Sequence, residues 1–217
     1  LRIAIQGAED SLTVQKWFTV EYGNYEYRVN QFRFYDGTVL KSTDIDNIGY
    51  SYNGTDGNDN FVGSNGVDTL VGGRGNDTLC GGYGSDSYIF ERHHGQDKIE
   101  DYDTAAGNID TVKLGESIDK EGLVMFRDGQ DLLIFTDDDD YIRISRQFQA
   151  NYGVERLEVT DGCYITRQDM EQIVNAMIDF NSTQGMDIVQ KYNTLRNDQA
   201  YQTTLAQSWH QQLNPQG

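Results

Sequence analysis

Four aspartates stand nine residues apart, Asp59, Asp68, Asp77 and Asp86, and each closes a short run rich in glycine. With the nine places of the repeat counted from Gly54, glycine fills place one at Gly54, Gly63, Gly72 and Gly81. It also fills place four at Gly57, Gly66, Gly75 and Gly84. Glycine reaches positive φ without a Cβ clash, so two or three in six residues make a tight bend whose carbonyl oxygens turn to one side. Place three, held by Asp56, Asn65, Arg74 and Tyr83, lies inside each bend and adds its own backbone carbonyl. A carboxylate at the end of such a bend completes an all-oxygen donor set. That is the chemistry of a hard cation: calcium takes six to eight oxygens at about 2.3–2.6 Å. Places one, three, four and six of all four units are therefore the candidate metal ligands. The spacing does not fit an EF-hand loop, which needs Gly at its sixth place and Glu at its twelfth.

These bends need elements to hold them. The last three places of each unit read as a short strand with place eight, Phe61, Leu70, Leu79 and Tyr88, pointing inward. Stacked strands would then bury that column as a core while places seven and nine face out. Place two is looser, with Gly73 and Gly82 but Thr55 and Ser64. Past Ile89 the pattern decays. Gly95-Gln96-Asp97-Lys98-Ile99 repeats places four to eight after a displacement of two residues, which makes Asp97 a further candidate ligand. Asp101, Asp103 and Asp110 follow, either as ligands of another ion or as a solvated acidic loop. His93 and His94 read as exposed spacers at the break, with no third His or Cys nearby to make a zinc site.

The repeat resembles the G-G-x-G-x-D-x-U-x nonapeptide of the RTX, or haemolysin-type, calcium-binding proteins. The resemblance implies that two nonamers form one coil of a parallel β-roll, with calcium between bends stacked on the same side. Asp59 would then pair with Asp77, Asp68 with Asp86, and Asp77 with Asp97 at a third, weaker site.

A second, longer repeat flanks the first. Asp36-Gly37 aligns with Asp161-Gly162, Asp44-Ile45 with Asp169-Met170, Leu12-Thr13-Val14 with Ile142-Arg143-Ile144, and Phe18 with Phe148. The earlier copy carries extra residues around Glu21–Tyr27. Alternation at Ile142 and Ile144, and at Leu157 and Val159, predicts half-buried strands, and Asp-Gly pairs predict hairpin turns. Each copy is thus expected to be a small antiparallel β unit, resembling the haemolysin-type calcium-binding related domain and capping the open ends of the roll. The four acids Asp137–Asp140 mark a hairpin tip and a solvated turn. Thr166 with Asp169 predicts a helix start, followed by apolar residues at helical spacing from Met170 to Ile178. A weaker helix carries Tyr201, Leu205 and Trp209. The expected fold is mainly β: a parallel β-roll at 51–112, a β unit at 1–50, a second β unit with helix at 113–180, and a tail at 181–217.

Composition narrows the function. With 17 Lys and Arg against 35 Asp and Glu, the net charge is −18, which repels nucleic acids and anionic lipid surfaces and favours cations. No run approaches the roughly 18 apolar residues of a membrane span. Cys80 and Cys163 are expected to be free thiols. The chain opens in mid-pattern at Leu1 without a signal peptide, as if cut from something longer. No G-x-S-x-G, H-E-x-x-H or Cys/His pairing is present, so the expectation is a part that is not an enzyme. The family resemblance implies a secreted, extracellular or cell-surface protein whose tail engages a type I secretion machinery. The leading expectation is a calcium-induced folding module at the C-terminal end of such a protein. The alternative is an adhesin or carbohydrate-binding region with structural calcium, presenting a glycan or host-surface ligand to exposed aromatics such as Tyr22, Tyr25 and Tyr27.

Overall fold

A computed structural model describes residues 2–4, 11–13, 29–178 and 185–211 of the chain. Val14, Phe18 and the expected insertion at Glu21–Tyr27 lie outside the described residues. Strand β1 (Arg2–Ala4) pairs antiparallel with β2 (Ser11–Thr13), and β3 (Gln31–Arg33) with β4 (Val39–Lys41), followed by the short helix α1 (Ser42–Asp46). Seven strands then succeed one another: β5 (Ser51–Asn53), β6 (Asn60–Val62), β7 (Thr69–Val71), β8 (Thr78–Cys80), β9 (Ser87–Phe90), β10 (Gln96–Ile99) and β11 (Thr111–Leu114).

Alternate strands go to alternate sheets. β5, β7, β9 and β11 stack in one, and β6, β8 and β10 in the other, all parallel. Tyr52 sits beside Leu70, Leu70 beside Tyr88, and Phe61 beside Leu79, so one coil is 18 residues, two nonamers. The period survives the longer bends, since Ile99 still meets Leu79 and Val112 still meets Tyr88. Place eight is the core as expected: Leu70, Leu79 and Tyr88 are fully buried, and Phe61 and Tyr52 pack against them at the first coil. A three-residue strand has one inward side chain, so this column is what the apolar effect has to work on.

Both sheets run on beyond the roll. β12 (Val124–Asp128), β13 (Asp131–Phe135) and β14 (Tyr141–Ile144) form an antiparallel meander, and β14 lies parallel to β10 with Ile142 beside Asp97. β15 (Arg156–Val159) lies parallel to β11 and turns at Asp161-Gly162 into antiparallel β16 (Cys163–Thr166). One continuous core results, from Leu70 through Phe135 and Leu157 to the helices. These are α2 (Arg167–Ile178), α3 (Ile188–Leu195) and α4 (Gln199–Gln207), followed by the two-residue strand β17 (His210–Gln211) on β16. Among the described residues no helix is long and apolar enough to cross a membrane.

The long internal repeat is visible atom by atom. At Asp36 and Asp161 the Oδ1 accepts the N–H two residues on, at 2.9 and 2.8 Å, and the glycine between sits at φ +89° and +80°. At the following helices Asp44 accepts the Lys41 N–H and Asp169 the Thr166 N–H, both at 2.9 Å. Ile45 and Met170, each next in sequence, are fully buried. In the second copy Ile173 and Val174 extend that apolar face, and Thr166 caps α2 through its Oγ1, as expected. Helix α3 was not anticipated, although Asp187 and Gln190 form a capping box and Ile188, Tyr192 and Leu195 recur at helical spacing. Tyr192 and Leu195 join the core with Tyr201 and Leu205 of α4. The outer edge of β12 would leave backbone groups unpaired. The Tyr201 hydroxyl covers them, accepting the Met125 N–H at 2.7 Å and donating to the Leu123 carbonyl at 3.2 Å.

Candidate metal centres

The bends fall into two columns. On one side are 54–59, 72–77 and 91–97, leading from the first sheet to the second. On the other are 63–68, 81–86 and 100–110, leading back. Glycine is required where bends stack. Gly75, Gly84 and Gly95 at place four take φ of +116°, +127° and +97°. A Cβ on Gly54 or Gly63 would overlap the carbonyl oxygen of Gly72 or Gly81 in the next coil. Carbonyl oxygens of successive bends are thereby brought together along each side. Gly57 and Gly66 lie one coil below Gly75 and Gly84 in the same stacks. The place-three side chains Asp56, Asn65, Arg74 and Tyr83 are all exposed, so only their backbones belong to the bends.

The place-six aspartates form two ladders. Asp59 donates its N–H to Asp77 Oδ1 at 2.7 Å, and Asp77 to Asp97 Oδ1 at 2.8 Å. On the other side Tyr50 donates to Asp68 Oδ1 at 2.6 Å, Asp68 to Asp86 at 2.7 Å, and Asp86 to Asp110 at 2.8 Å. The pairings expected between Asp59 and Asp77, Asp68 and Asp86, and Asp77 and Asp97 are thus contacts of this structure. Asp110, which in sequence looked like part of a loop cluster, is the next rung, and Glu155 accepts the N–H of Asp110 at 2.9 Å in turn. Charge-assisted bonds of this kind fix one carboxylate oxygen and aim the other.

The second oxygen is where the bends differ. Asp77 Oδ2, Asp86 Oδ2 and Asp101 Oδ2 are buried and accept no hydrogen bond from the described residues. Asp77 and Asp101 are 1% exposed and Asp86 is 0% exposed. The free oxygens of Asp77 and Asp86 lie under Gly72 and Gly81, in cradles that a Cβ would fill. Anionic oxygens buried without a donor are costly. Burial raises the carboxyls of Asp68 and Asp77, and burial followed by the charges of Asp68, Asp101 and Asp103 pushes Asp86 up to about 7. Burial also raises the touching carboxyls of Asp101 and Asp110, with the charge of Asp103 adding at the first and the hydrogen bond and charge of Asp101 adding at the second. A cation supplies what these oxygens lack, and the residues present fit calcium: hard carboxylate donors among glycine carbonyls, with no soft ligand. Among the described residues no three carboxylate, imidazole or thiol groups converge as a metal cluster, so an ion here draws on backbone carbonyls.

The exit acids divide their work. Asp101 accepts from the Tyr88 hydroxyl at 2.9 Å and lies against the Gly82 N–H at 3.4 Å. Asp103 accepts from the N–H groups of Gly84 and Ala105, at 3.2 and 2.7 Å, and from Asn108. Asp101, Asp103 and Asp110 therefore do not form one three-carboxylate centre. Asp101 joins the Asp86 bend and Asp110 continues the ladder.

Two expectations need correction, and others were missing. His93 is exposed, but His94 is no spacer: it is 3% exposed, its Nδ1 is 2.7 Å from Asp97 Oδ2 and its Nε2 is 2.9 Å from Thr136 Oγ1. The four-acid turn is exposed at Asp138 and Asp139, but Asp140 is buried and accepts the N–H groups of His93 and Gly95 at 2.7 and 3.2 Å. Unforeseen was a ladder at place five, where the Asn58 carbonyl Oδ1 accepts the Asn76 N–H at 2.9 Å and Asn76 accepts the Gln96 N–H at 3.0 Å. Asn at both place-five positions of one column was the available signal. Tyr88 also has a second role, since its hydroxyl accepts the Gly81 N–H at 2.7 Å. Cys80 and Cys163 are free, as expected.

Residues 53–88 match the RTX calcium-binding nonapeptide repeat, in four copies. These are RTX repeats. Residues 1–44 match the haemolysin-type calcium binding protein related domain, so the chain carries RTX calcium-binding repeats beside a domain of the haemolysin-type calcium-binding kind. The RTX roll binds calcium, and the two columns of bends are where its oxygen donors gather. No curated protein matches the chain.

Proposed function

We propose that the chain is a calcium-triggered folding module of an exported RTX protein, placed outside the cell and without catalytic chemistry of its own. One observation carries this reading: bare carboxylate oxygens buried in glycine cradles on both sides of the roll. Without an ion they oppose closure of the bends, and between Gly54 and Asp110 eleven acids against three bases add a net charge of −8. Calcium neutralises the cradles when it binds, and the glycine bends, costly in backbone entropy, then stay ordered. Each site filled at ten times its dissociation constant adds about 1.4 kcal/mol to the folded state. Two such sites add about 3 kcal/mol, a large share of a domain's usual stability. Extracellular calcium modules bind in the range of about 10⁻⁴–10⁻³ M, which suits a fold that forms only after export. The family resemblance supports a type I route, with the tail from 181 onward engaging the exporter before its helices dock on the core.

The test is a calcium titration of the chelated chain, followed by far-UV circular dichroism and calorimetry. The expected result is a gain of β signal and a cooperative melting transition on adding calcium. A full β spectrum and an unchanged melt in chelator would refute the trigger.

A further inference from the structure

The inference below rests on the calcium reading and concerns which bends the ion can enter. The structure assigns calcium to two centres only, one at Gly72–Asp77 and one at Gly81–Asp86 with Asp101, the bends at 54–59, 63–68 and 91–97 being closed by donors from the chain itself. Four bends of the repeat share the same glycines and the same aspartate, yet their second carboxylate oxygens differ. Asp59 Oδ2 accepts the Thr55 N–H at 2.7 Å and its hydroxyl at 2.8 Å. Asp68 Oδ2 accepts the Ser64 N–H at 2.5 Å and its hydroxyl at 3.0 Å. Asp77 Oδ2 and Asp86 Oδ2 have no such donor. The cause is place two. Thr55 and Ser64 carry a hydroxyl and turn their N–H inward, whereas Gly73 and Gly82 sit at φ +100° and +98° and offer neither.

The fifth bend closes in another way. His93 takes place two at φ +66°, a conformation unusual for a side-chain-bearing residue. It swings the next residue inward. Place three is exposed in all four repeats, but His94 is buried there, its ring against Phe90 with centroids 5.1 Å apart. Its Nδ1 meets Asp97 Oδ2, the atom equivalent to the bare oxygens of Asp77 and Asp86. Thr136 and the Asp140 carboxylate, which accepts the His93 and Gly95 N–H groups, hold this arrangement from the neighbouring hairpin. The imidazole thus occupies the position an ion would take, and the column ends on protein.

Calcium binding to the full chain, by isothermal titration with the metal alone, tests this. The expected count is two ions per chain. Asp77→Asn and Asp86→Asn, which keep the Oδ1 acceptor of each ladder, should each reduce it to one. His94→Ala bares Asp97 Oδ2 and should raise it to three. A wild-type count of one, or of three or more, overturns the restriction while leaving the calcium reading intact, and a count of zero overturns both. Should His94→Ala not fold, the wild-type count and the two Asn variants still decide the matter. A folded His94→Ala that binds only two ions overturns the role given to His94.

Discussion

Asp86 gives the sharpest numerical test of the bare cradle. Its carboxyl lies at 3.8 in an unstructured chain and about 7 in the folded roll, chiefly through burial. A gap of about 3 units corresponds to about 4 kcal/mol of folding free energy. Below pH 4 the group carries its proton in both states, and the folded roll has its full stability. Between pH 4 and 7 the unfolded chain releases the proton while the folded one keeps it, so stability falls. Above 7 both are ionised and the penalty is complete. In chelator, therefore, the roll should be more stable near pH 4.5 than near pH 8, with Asp68, Asp77 and the Asp101–Asp110 pair adding to the trend. Asp86→Asn isolates one contribution, since Asn is neutral at every pH and still accepts the Asp68 N–H. The metal-free variant at pH 8 should be more stable than the metal-free parent by up to about 4 kcal/mol, and its dependence between pH 4 and 7 should be flatter. Urea unfolding followed by circular dichroism measures both. A variant no more stable than the parent at pH 8 in chelator would refute the claim that an unpaired buried charge opposes folding.

Three further outcomes follow from the packing. Gly73→Ala puts a Cβ at φ +100° into the Thr55 carbonyl and should cost more than about 1 kcal/mol, whereas Gly122→Ala, with open space around it, should stay within about 0.5 kcal/mol in denaturant melts. Tyr201→Phe leaves the Met125 N–H and Leu123 carbonyl at the β12 edge without their partner, for an expected loss of about 1–3 kcal/mol with the calcium count unchanged. Leu79→Ala empties the middle of the buried column and should cost about 2–5 kcal/mol by calorimetry in saturating calcium.

The roll was legible because one residue type answers one physical need at each place. Glycine at places one and four allows bends to touch, Asp at six ends them, and an apolar residue at eight faces in. The shift of two residues before Gly95 did not hide Asp97, since Ile99 kept its distance from it. Asp110 was hidden by a bend long enough to break the count, and only the pairing of Val112 with Tyr88 restores its place. His94 was misread because burial of a loop side chain depends on the backbone turn at His93 and on Thr136, 42 residues away. The hairpins were legible from Asp-Gly, but their parallel seating on β10 and β11 was not. Nothing local in β14 or β15 encodes which edge they will meet.

That seating gives construction of the molecule a direction. Tyr141 lies 45 residues beyond Gln96, and Arg156 lies 45 beyond Thr111, so the two hairpins arrive on the two sheets as a matched step. Hairpin contacts are local and quick to form, whereas each coil must first close a loop of 18 residues. The C-terminal block then acts as a seed with two ready edges, and the coils add to it one after another toward Ser51, like courses of brick laid on a finished footing. Amide exchange at limiting calcium should show protection fading in that order, and earliest protection at β5 and β6 would reverse the direction.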